Sequence, residues 1–177
     1  VLSRDIRMNQ AYLARRQVPE AAWDKIIYMG KHASQVFETE SGSLQAETLA
    51  STDAGVAFLI SCEGRHLYHA GDLNWWTWKG ETEEEYRDMT LRFQNEIGRI
   101  EGRHFDAAFV PLDPRQEERY ALGFDYFMRH TDTDAVFPMH FWKDYSVTER
   151  LLGEEISAPY RDRIMRIERE GQEFWLP

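Results

Sequence analysis

The pattern of apolar and polar residues changes along the chain from strand-like to helix-like. Short apolar runs at 24–29, 35–40 and 44–49 predict strands, and a turn at Ser41-Gly42 joins the last two. Two further runs, 56–60 and 66–70, flank a link that contains Gly64, which predicts a β-hairpin. Because residues 56–60 are apolar without alternation, we expect that strand to be buried on both faces.

From residue 80 the apolar period becomes that of a helix. Thr82 and Glu85 have the spacing of a capping box, and the apolar stripe that follows is expected to pack on a sheet with the acidic residues outward. The remaining pattern predicts strands at 105–110 and 135–139, a helix at 116–129, a capping box at Ser146 and Glu149 that opens another helix, and a closing hairpin of 164–167 with 173–176. Early antiparallel hairpins and later strand-helix alternation indicate an α+β fold whose sheets are covered by outer helices.

Composition and charge limit the function classes. The 177 residues contain no repeat or linker that would separate domains, so we expect one domain over 1–177. Cys62 is the single cysteine, and no apolar run reaches the roughly 18 residues of a membrane span, which predicts a cytoplasmic protein without a membrane partner. A net charge of −10 argues against nucleic acid as the main partner.

Polar side chains stand where three predicted buried strands end. Asp72 follows His69-Ala-Gly, Asp113 and Arg115 flank Pro114, and His140 follows Pro138-Met139. Carboxylate oxygens and imidazole nitrogens are ligands of zinc and similar divalent ions. Taken singly, each residue also has a structural reading, because Asp after Gly favours a turn and a lone His is more often a satisfied structural residue.

Four segments in this order, 51–60, 68–76, 109–115 and 136–142, resemble the metallo-β-lactamase superfamily, specifically its small bacterial metal-dependent hydrolases. The resemblance implies a four-layer αββα sandwich with a metal site at the edge between two sheets. In that family an Asp after Gly bridges two metal ions, a position that corresponds to Asp72. A His at the end of a late strand ligates the second ion, a position that corresponds to His140.

The resemblance also implies a reaction. The complete protein would use two divalent ions, zinc or alternatively manganese or iron, to lower the pKa of a water to about 7. The resulting hydroxide would attack a small-molecule ester, lactone, amide or phosphoester, with Asp72 and His140 as the catalytic metal ligands.

The sequence departs from the family in its metal ligands. The principal motif, H-x-H-x-D-H, is absent, and neither Ser3–Arg7 nor Lys31-His32 replaces it. Since the chain begins at Val1 and not at Met, we expect the motif and the first strands to precede it, so that 1–177 is the central and C-terminal portion of the fold. Asp53 stands where many members place a ligand His; it is either an oxygen ligand or a turn residue.

The ligand count sets the expected activity of this chain. A catalytic zinc site usually has three protein ligands, and only Asp72 and His140 are firm candidates, so we expect weak metal binding and little hydrolysis from the chain alone. The alternative hypothesis is a non-catalytic member that serves binding or association, and exposed sheet edges would favour a homo-oligomer.

Several neighbours of the predicted ligands are expected to bind substrate. Trp75, Trp76 and Trp78 follow Asp72 closely and are either pocket walls or core and interface residues. Arg115 either meets an anionic substrate group or forms a loop-orienting ion pair with Asp113. The full set of expected substrate-binding residues is His69, Asn74, Trp75, Trp76, Asp113 and Arg115, with a packing role as the alternative for His69.

Overall fold

The computed structural model describes residues 1–5, 9–39 and 42–176. The strands are β1 (Leu2–Ser3), β2 (Tyr28–Met29), β3 (Ser34–Thr39), β4 (Gly42–Ala50), β5 (Val56–Cys62), β6 (Arg65–His69), β7 (His104–Pro111) and β8 (Asp132–Met139). The helices are α1 (Gln10–Arg15), α2 (Glu83–Gly98), α3 (Leu122–His130) and α4 (Ser146–Gly153). Short 3-10 turns occupy Glu20–Lys25, Pro114–Arg119, Glu155–Ser157 and Arg161–Arg163.

Strands β3 to β8 form one six-stranded sheet in the order of the chain. The pairs from β3 to β6 are antiparallel, as expected for hairpins, whereas β6, β7 and β8 run parallel. The predicted hairpin turn between β5 and β6 contains Glu63 and Gly64, both with positive φ, which matches the twist of a tight hairpin. Since β6, β7 and β8 are parallel, their carboxyl ends all meet one edge of the sheet.

The main hydrophobic core lies between this sheet and the helices. Phe93 and Ile97 of α2 and Phe124 and Phe127 of α3 pack in one cluster with Tyr68 of β6. The rings of Tyr68 and Phe127 stack with centroids 4.7 Å apart. Removing each such side chain from water contributes roughly 1.5–3 kcal/mol, so these contacts fix the helix layer on the sheet.

The opposite face of the sheet carries a smaller apolar cluster. Ala107, Ala135 and Phe137 pack there against residues of the C-terminal segment, namely Met165, Ile167 and Phe174. The predicted α+β class is confirmed, and the large sheet with its helices provides a β layer and an α layer of the expected sandwich. No helix within the described residues is long and apolar enough to cross a membrane.

The first capping box forms as predicted and the second does not. Thr82 Oγ1 accepts from the backbone N–H of Glu85, and Glu85 Oε2 accepts from the backbone N–H of Thr82. At the start of α4, the hydroxyl of Ser146 donates instead to Asp144 Oδ1, and no side chain caps the helix. The acidic residues of α2 do not all face outward, because Glu96 is buried and accepts from the backbone N–H of Ala50.

Three other predicted elements differ from the structure. Only Tyr28–Met29 of 24–29 is a strand, since Glu20–Lys25 forms a 3-10 turn. The helix predicted at 116–129 begins at Leu122, because Glu117 has a left-handed backbone (φ 54°) that interrupts helical geometry. Residues 164–167 and 173–176 form no hairpin; Ile164 makes an isolated parallel bridge to Val136. Ser41 of the predicted turn, Glu40 of the strand predicted at 35–40 and part of Ser3–Arg7 lie outside the described residues.

Candidate metal centre

The predicted chemistry converges at the carboxyl edge of the parallel strands. Asp72 lies three residues after β6, Asp113 two residues after β7, and His140 directly after β8. The β4–β5 turn with Asp53 reaches the same edge, because β5 is antiparallel to β6 and pairs Phe58 with His69. Four loops that are distant in sequence therefore surround one site.

Asp72 and His140 contact each other directly. Asp72 Oδ1 lies 3.0 Å from His140 Nε2, although the two residues are 68 positions apart. Both side chains are partly open to solvent, 36% exposed for Asp72 and 24% for His140. Nδ1 of His140 is buried, and in the part of the chain that the structure describes it has no hydrogen-bond partner. The carboxylate oxygen Oδ2 of Asp113 lies on that side, 4.0 Å from Nδ1.

Asp113 is a fully buried carboxylate with several donors. Arg115 donates to it through its backbone N–H (3.0 Å), through Nε (2.9 and 3.1 Å) and through Nη2 (2.5 Å). Trp142 Nε1 adds a hydrogen bond of 3.3 Å. Burial raises the pKa of Asp113, but the hydrogen bonds and charge of Arg115 and the Trp142 hydrogen bond outweigh it, so the pKa lies below its ordinary value of 3.8. Asp113 is therefore a stable anion beside His140.

A cavity of about 430 Å³ opens beside the Asp72–His140 pair. Aromatic rings form part of its wall: Trp76 and Trp78 lie parallel with ring centroids 6.0 Å apart, and Trp76 lies 5.5 Å from the His140 ring. Trp76 Nε1 also donates to the backbone carbonyl of Asp72 (2.9 Å), which fixes the loop that carries the carboxylate. The lining residues are Thr52, Asp53, Asp72, Trp76, Trp78, Met89, Arg115, His140 and Trp142.

The backbone at the site adopts left-handed conformations in two loops. His140, Trp142 and Lys143 all have left-handed φ values, 63°, 51° and 67°, which cost on the order of 1 kcal/mol each in residues with a Cβ. Gly71 precedes Asp72 with φ +57°, and a Cβ there would lie 2.8 Å from the carbonyl oxygen of Val56. Glycine is therefore required next to the Asp72 carboxylate, and such strain is typical of functional sites.

Two residues that we expected in the substrate pocket lie elsewhere. Asn74 is buried and its Nδ2 donates to Gln116 Oε1 (2.9 Å), so its amide serves the interior. Trp75 is buried in the core, where it stacks with Phe93 (5.7 Å). The structure therefore does not place Asn74 and Trp75 in the cavity. Residues 73–77 form no regular strand whose alternation would point these side chains to it.

His69 lies near the pair without lining the same cavity. It lines a neighbouring cavity that also includes Asp72, and its ring stacks on Phe109 with centroids 5.6 Å apart. Its Nδ1 accepts from the backbone N–H of Gly71 (3.1 Å), so one ring nitrogen already supports the Asp72 loop. In the structure, His69 therefore supports the fold through a ring contact and a loop hydrogen bond.

Sequence reasoning missed Trp142 and Gln116. Trp142 is a wall of the cavity and a donor to Asp113, and its position two residues after His140 was the available signal. Gln116 is buried and donates to the backbone carbonyl of Trp75 (2.8 Å) in addition to its contact with Asn74. No pattern in the sequence indicates that an amide in this polar stretch is buried.

The Asp72–His140 pair fits a divalent ion in its donor types. An oxygen and a nitrogen 3.0 Å apart are close enough to share one ion at bond lengths of about 2.0–2.2 Å. Asp53 lines the same cavity, but its backbone N–H donates to Ser51 Oγ (3.1 Å), the local contact of a turn residue. Among the described residues, neither Asp53 nor any other carboxylate, His or Cys completes a cluster of three around this pair within 4.8 Å.

A different cluster of three does exist at the opposite edge of the sheet. His104, Asp132 and Asp134 stand at the starts of β7 and β8, where the parallel register pairs His104 with Asp132. His104 Nδ1 lies 3.1 Å from Asp132 Oδ2, and all three side chains are exposed. This pair is a useful reference for the partly enclosed pair of Asp72 and His140.

No family model and no curated protein matches the sequence. Among solved structures, the chain is similar to a proposed zinc-dependent hydrolase of the metallo-β-lactamase superfamily from Thermotoga maritima (14% identity, TM-score 0.32, covering 67% of this chain and 52% of that chain). It is similar to zinc-bound PqqB from Methylobacterium extorquens (14% identity, TM-score 0.38, 80% and 56%). It is also similar to a mutant of the CmlA β-hydroxylase (10% identity, TM-score 0.45, 79% and 31%).

The chain thus spans between about a third and a little over half of the length of these three chains. The solved structures to which it is similar include a protein of the metallo-β-lactamase superfamily, the family that the sequence resembles.

Proposed function

We propose that this chain is part of a metal-dependent hydrolase of the metallo-β-lactamase superfamily that acts on a small molecule. The bond cleaved is that of an ester, lactone, amide or phosphoester. Asp72 and His140 are the metal ligands, and the cavity beside them is the substrate site. Zinc is the first candidate ion, and manganese and iron also bind carboxylate and imidazole ligands.

One observation carries the proposal. Two residues that the sequence marks as metal ligands, 68 positions apart, meet at 3.0 Å in a cavity at the carboxyl edge of three parallel strands. A chance surface contact of Asp and His would not require a glycine at position 71 or a left-handed backbone at His140. The left-handed backbone costs free energy in a residue with a Cβ. The strain is explained if the two side chains are held for binding.

The surrounding residues orient the pair. Trp76 holds the Asp72 loop through its backbone carbonyl, and Asp113 provides a buried negative charge on the Nδ1 side of His140, which leaves Nε2 to face Asp72. A divalent ion held there would supply Lewis acidity and lower the pKa of a water to about 7. Because such a site usually has three protein ligands, the proposal requires further ligands from outside the described residues.

Zinc titration of the EDTA-treated protein by calorimetry tests the ligands. We expect Asp72→Ala and His140→Ala each to weaken zinc binding by at least about tenfold, because each removes one of the two donors. His104→Ala and Asp132→Ala are the comparison variants, since they remove an Asp–His pair of nearly equal separation, 3.1 Å, that belongs to the competing cluster of three at the opposite edge. Equal losses in the two pairs of variants would contradict the assignment.

Hydrolysis separates the enzyme from the alternative, a non-catalytic binding or association module. The observation that favours the alternative is the count of two ligands within the described residues. Zinc-loaded protein is assayed with nitrophenyl esters, a nitrophenyl phosphodiester and a lactone. Turnover that is lost in Asp72→Ala and retained in Asp132→Ala supports the hydrolase, whereas zinc binding without turnover of any of these compounds supports the binding module.

A further inference from the structure

We propose that Arg115 is the anion-binding group of the cavity and that the cavity takes a small organic anion with a flat apolar portion. The inference deepens the proposed function, on which it rests only for the identification of this cavity as the substrate site. It concerns the side of the cavity formed by Arg115, Trp78 and Trp142.

Arg115 is held in place and still accessible. Nε and Nη2 form a bidentate pair with Asp113, whose side chain is fully buried, while the Arg115 side chain itself is 52% exposed. Asp113 uses the inner edge of the guanidinium, and Nη1 has no acceptor among the described residues. A fork that is fixed on one edge and free on the other is pre-organised to bind a carboxylate or phosphate, because little side-chain entropy remains to be lost.

The same guanidinium lies between two indoles. Its carbon is 4.6 Å from the ring centroid of Trp142 and 5.8 Å from that of Trp78. These contacts further restrict the motion of the guanidinium, which supports its pre-organisation for a ligand. Arg115 is also the one Arg or Lys among the residues that line the cavity.

The exposed aromatic surface gives the second part of the ligand. Trp142 is 66% exposed and Trp78 is 40% exposed, although indole side chains of this size usually gain free energy from burial. Trp76 and Trp78 are parallel and only 1° apart in orientation, which presents a flat apolar wall. A planar apolar group that stacks on this wall would remove the exposed indoles from water while an attached anion reaches Arg115.

The carboxylates of the cavity define how such a ligand lies. In the metal-free chain, Asp53 and Asp72 line the same cavity and repel an anion, so the anionic group belongs at Arg115 and not at the Asp72–His140 pair.

The test compares two probes that differ in charge and little else, 3-phenylpropionate and 3-phenylpropanamide. Binding to the full chain is followed by tryptophan fluorescence in EDTA, so that no metal ion binds the carboxylate. We expect the carboxylate to bind at least about tenfold more tightly than the amide, because a charge-assisted bidentate hydrogen bond is replaced by neutral ones. Arg115→Met is expected to abolish this preference, and Arg115→Lys to retain only part of it, since lysine keeps the charge but not the fork.

The controls separate this inference from general effects of charge and from the proposed function. Arg65→Met removes an arginine that pairs with Asp106 at the opposite edge of the sheet, and it should leave the preference unchanged. Trp142→Ala should weaken both probes, because both carry the phenyl group, and the carboxylate at least as much as the amide, because Trp142 also contacts the Arg115 guanidinium. Absence of a carboxylate preference in the unmodified protein, or its persistence in Arg115→Met, would overturn the inference. Failure of the proposed function would appear instead in the zinc titration and the hydrolysis assay, which do not depend on these probes.

Discussion

Asp113 Oδ2 lies 4.0 Å from Nδ1 of His140, on the side of the ring opposite to Asp72. A carboxylate in this position favours the tautomer with the proton on Nδ1 and leaves Nε2 as the free donor atom for a metal. Asp113 is thus placed to orient His140 without touching the ion itself. Its own charge is fixed by Arg115 and by Trp142.

This relationship predicts the effect of Asp113→Asn on metal binding. We expect zinc affinity to fall by about tenfold, the low end of the effect of removing a partner that orients a ligand His, because at 4.0 Å Asp113 acts through its charge and not through a hydrogen bond. Asp106→Asn is the control, because Asp106 is also a mostly buried carboxylate paired with an arginine, at the opposite edge. Calorimetric titration with zinc measures the affinity of both variants, and we expect only Asp113→Asn to lose affinity. Unchanged zinc affinity in Asp113→Asn would show that this carboxylate does not orient His140.

Asp106 itself makes the stability of the fold dependent on pH. Hydrogen bonds from Arg65 Nη1 (2.6 Å) and from the backbone N–H of His66 (2.7 Å) hold the pKa of Asp106 below its ordinary value of 3.8. The unfolded chain has the higher pKa at this carboxyl, so it takes up the proton first as the pH falls. The ionised Asp106 therefore stabilises the fold above the unfolded pKa, and this stability is lost as the pH falls through the folded pKa.

The corresponding measurement is urea unfolding of wild type and Asp106→Asn between about pH 7 and pH 2.5. We expect the wild type to be more stable at neutral pH and the difference to shrink in the acid range. A difference that stays constant over the whole range would contradict the role assigned to the Asp106 charge.

Two buried threonines predict opposite effects of the same substitution. The hydroxyl of Thr52 donates to the carbonyl of Asn74 (2.6 Å) and accepts from its backbone N–H (3.1 Å). Thr52→Val is expected to cost about 1–3 kcal/mol of unfolding free energy, because it leaves buried backbone groups unsatisfied. The Thr148 hydroxyl is buried without a hydrogen-bond partner in the described residues, so Thr148→Val is expected to be neutral or stabilising. Chemical denaturation of both variants measures the contrast, and equal destabilisation would refute it.

Gly123 of α3 leaves the room that Asn74 occupies. A Cβ at Gly123 would lie 2.0 Å from Asn74 Oδ1 and 3.0 Å from the backbone nitrogen of Trp75. Gly123→Ala is therefore expected to displace the Asn74 loop and cost roughly 1–3 kcal/mol. Gly98→Ala at the end of α2 meets nothing within 4 Å and should instead add up to about 1 kcal/mol. Thermal unfolding distinguishes the two, and a stable Gly123→Ala would mean that this loop adapts.

The elements that sequence reasoning predicted correctly are those with local causes. Thr82 and Glu85 form a capping box through contacts three residues apart, and Gly64 supplies the positive φ that the hairpin requires. The same spacing at Ser146 and Glu149 failed because the helix already begins at Ser146, so Tyr145 is the N-cap, and the serine hydroxyl donates to Asp144. The helix predicted from residue 116 was shortened by the left-handed Glu117, whose conformation no local pattern indicates.

The candidate site was predictable to the extent that strand ends determine it. Asp72 and His140 follow directly from the ends of β6 and β8, and parallel strands bring such ends together. The directions of side chains in the loop that follows Asp72 were not predictable. There, tertiary contacts decide, and they place Trp75 in the core and Trp76 at the cavity.

Thr52, Asn74 and Gln116 join three loops through buried hydroxyl and amide groups, whereas Trp78 and Trp142 at the cavity are exposed and make few such bonds. The base of the site and its rim are thus expected to respond differently to substitution. A substitution in the base disturbs several loops at once, and one at Trp142 removes a hydrogen bond to Asp113, whereas one at Trp78 changes mainly the wall that a ligand contacts. A scaffold divided in this way can acquire a new ligand preference by changes at Trp78 and keep the geometry of Asp72 and His140 intact.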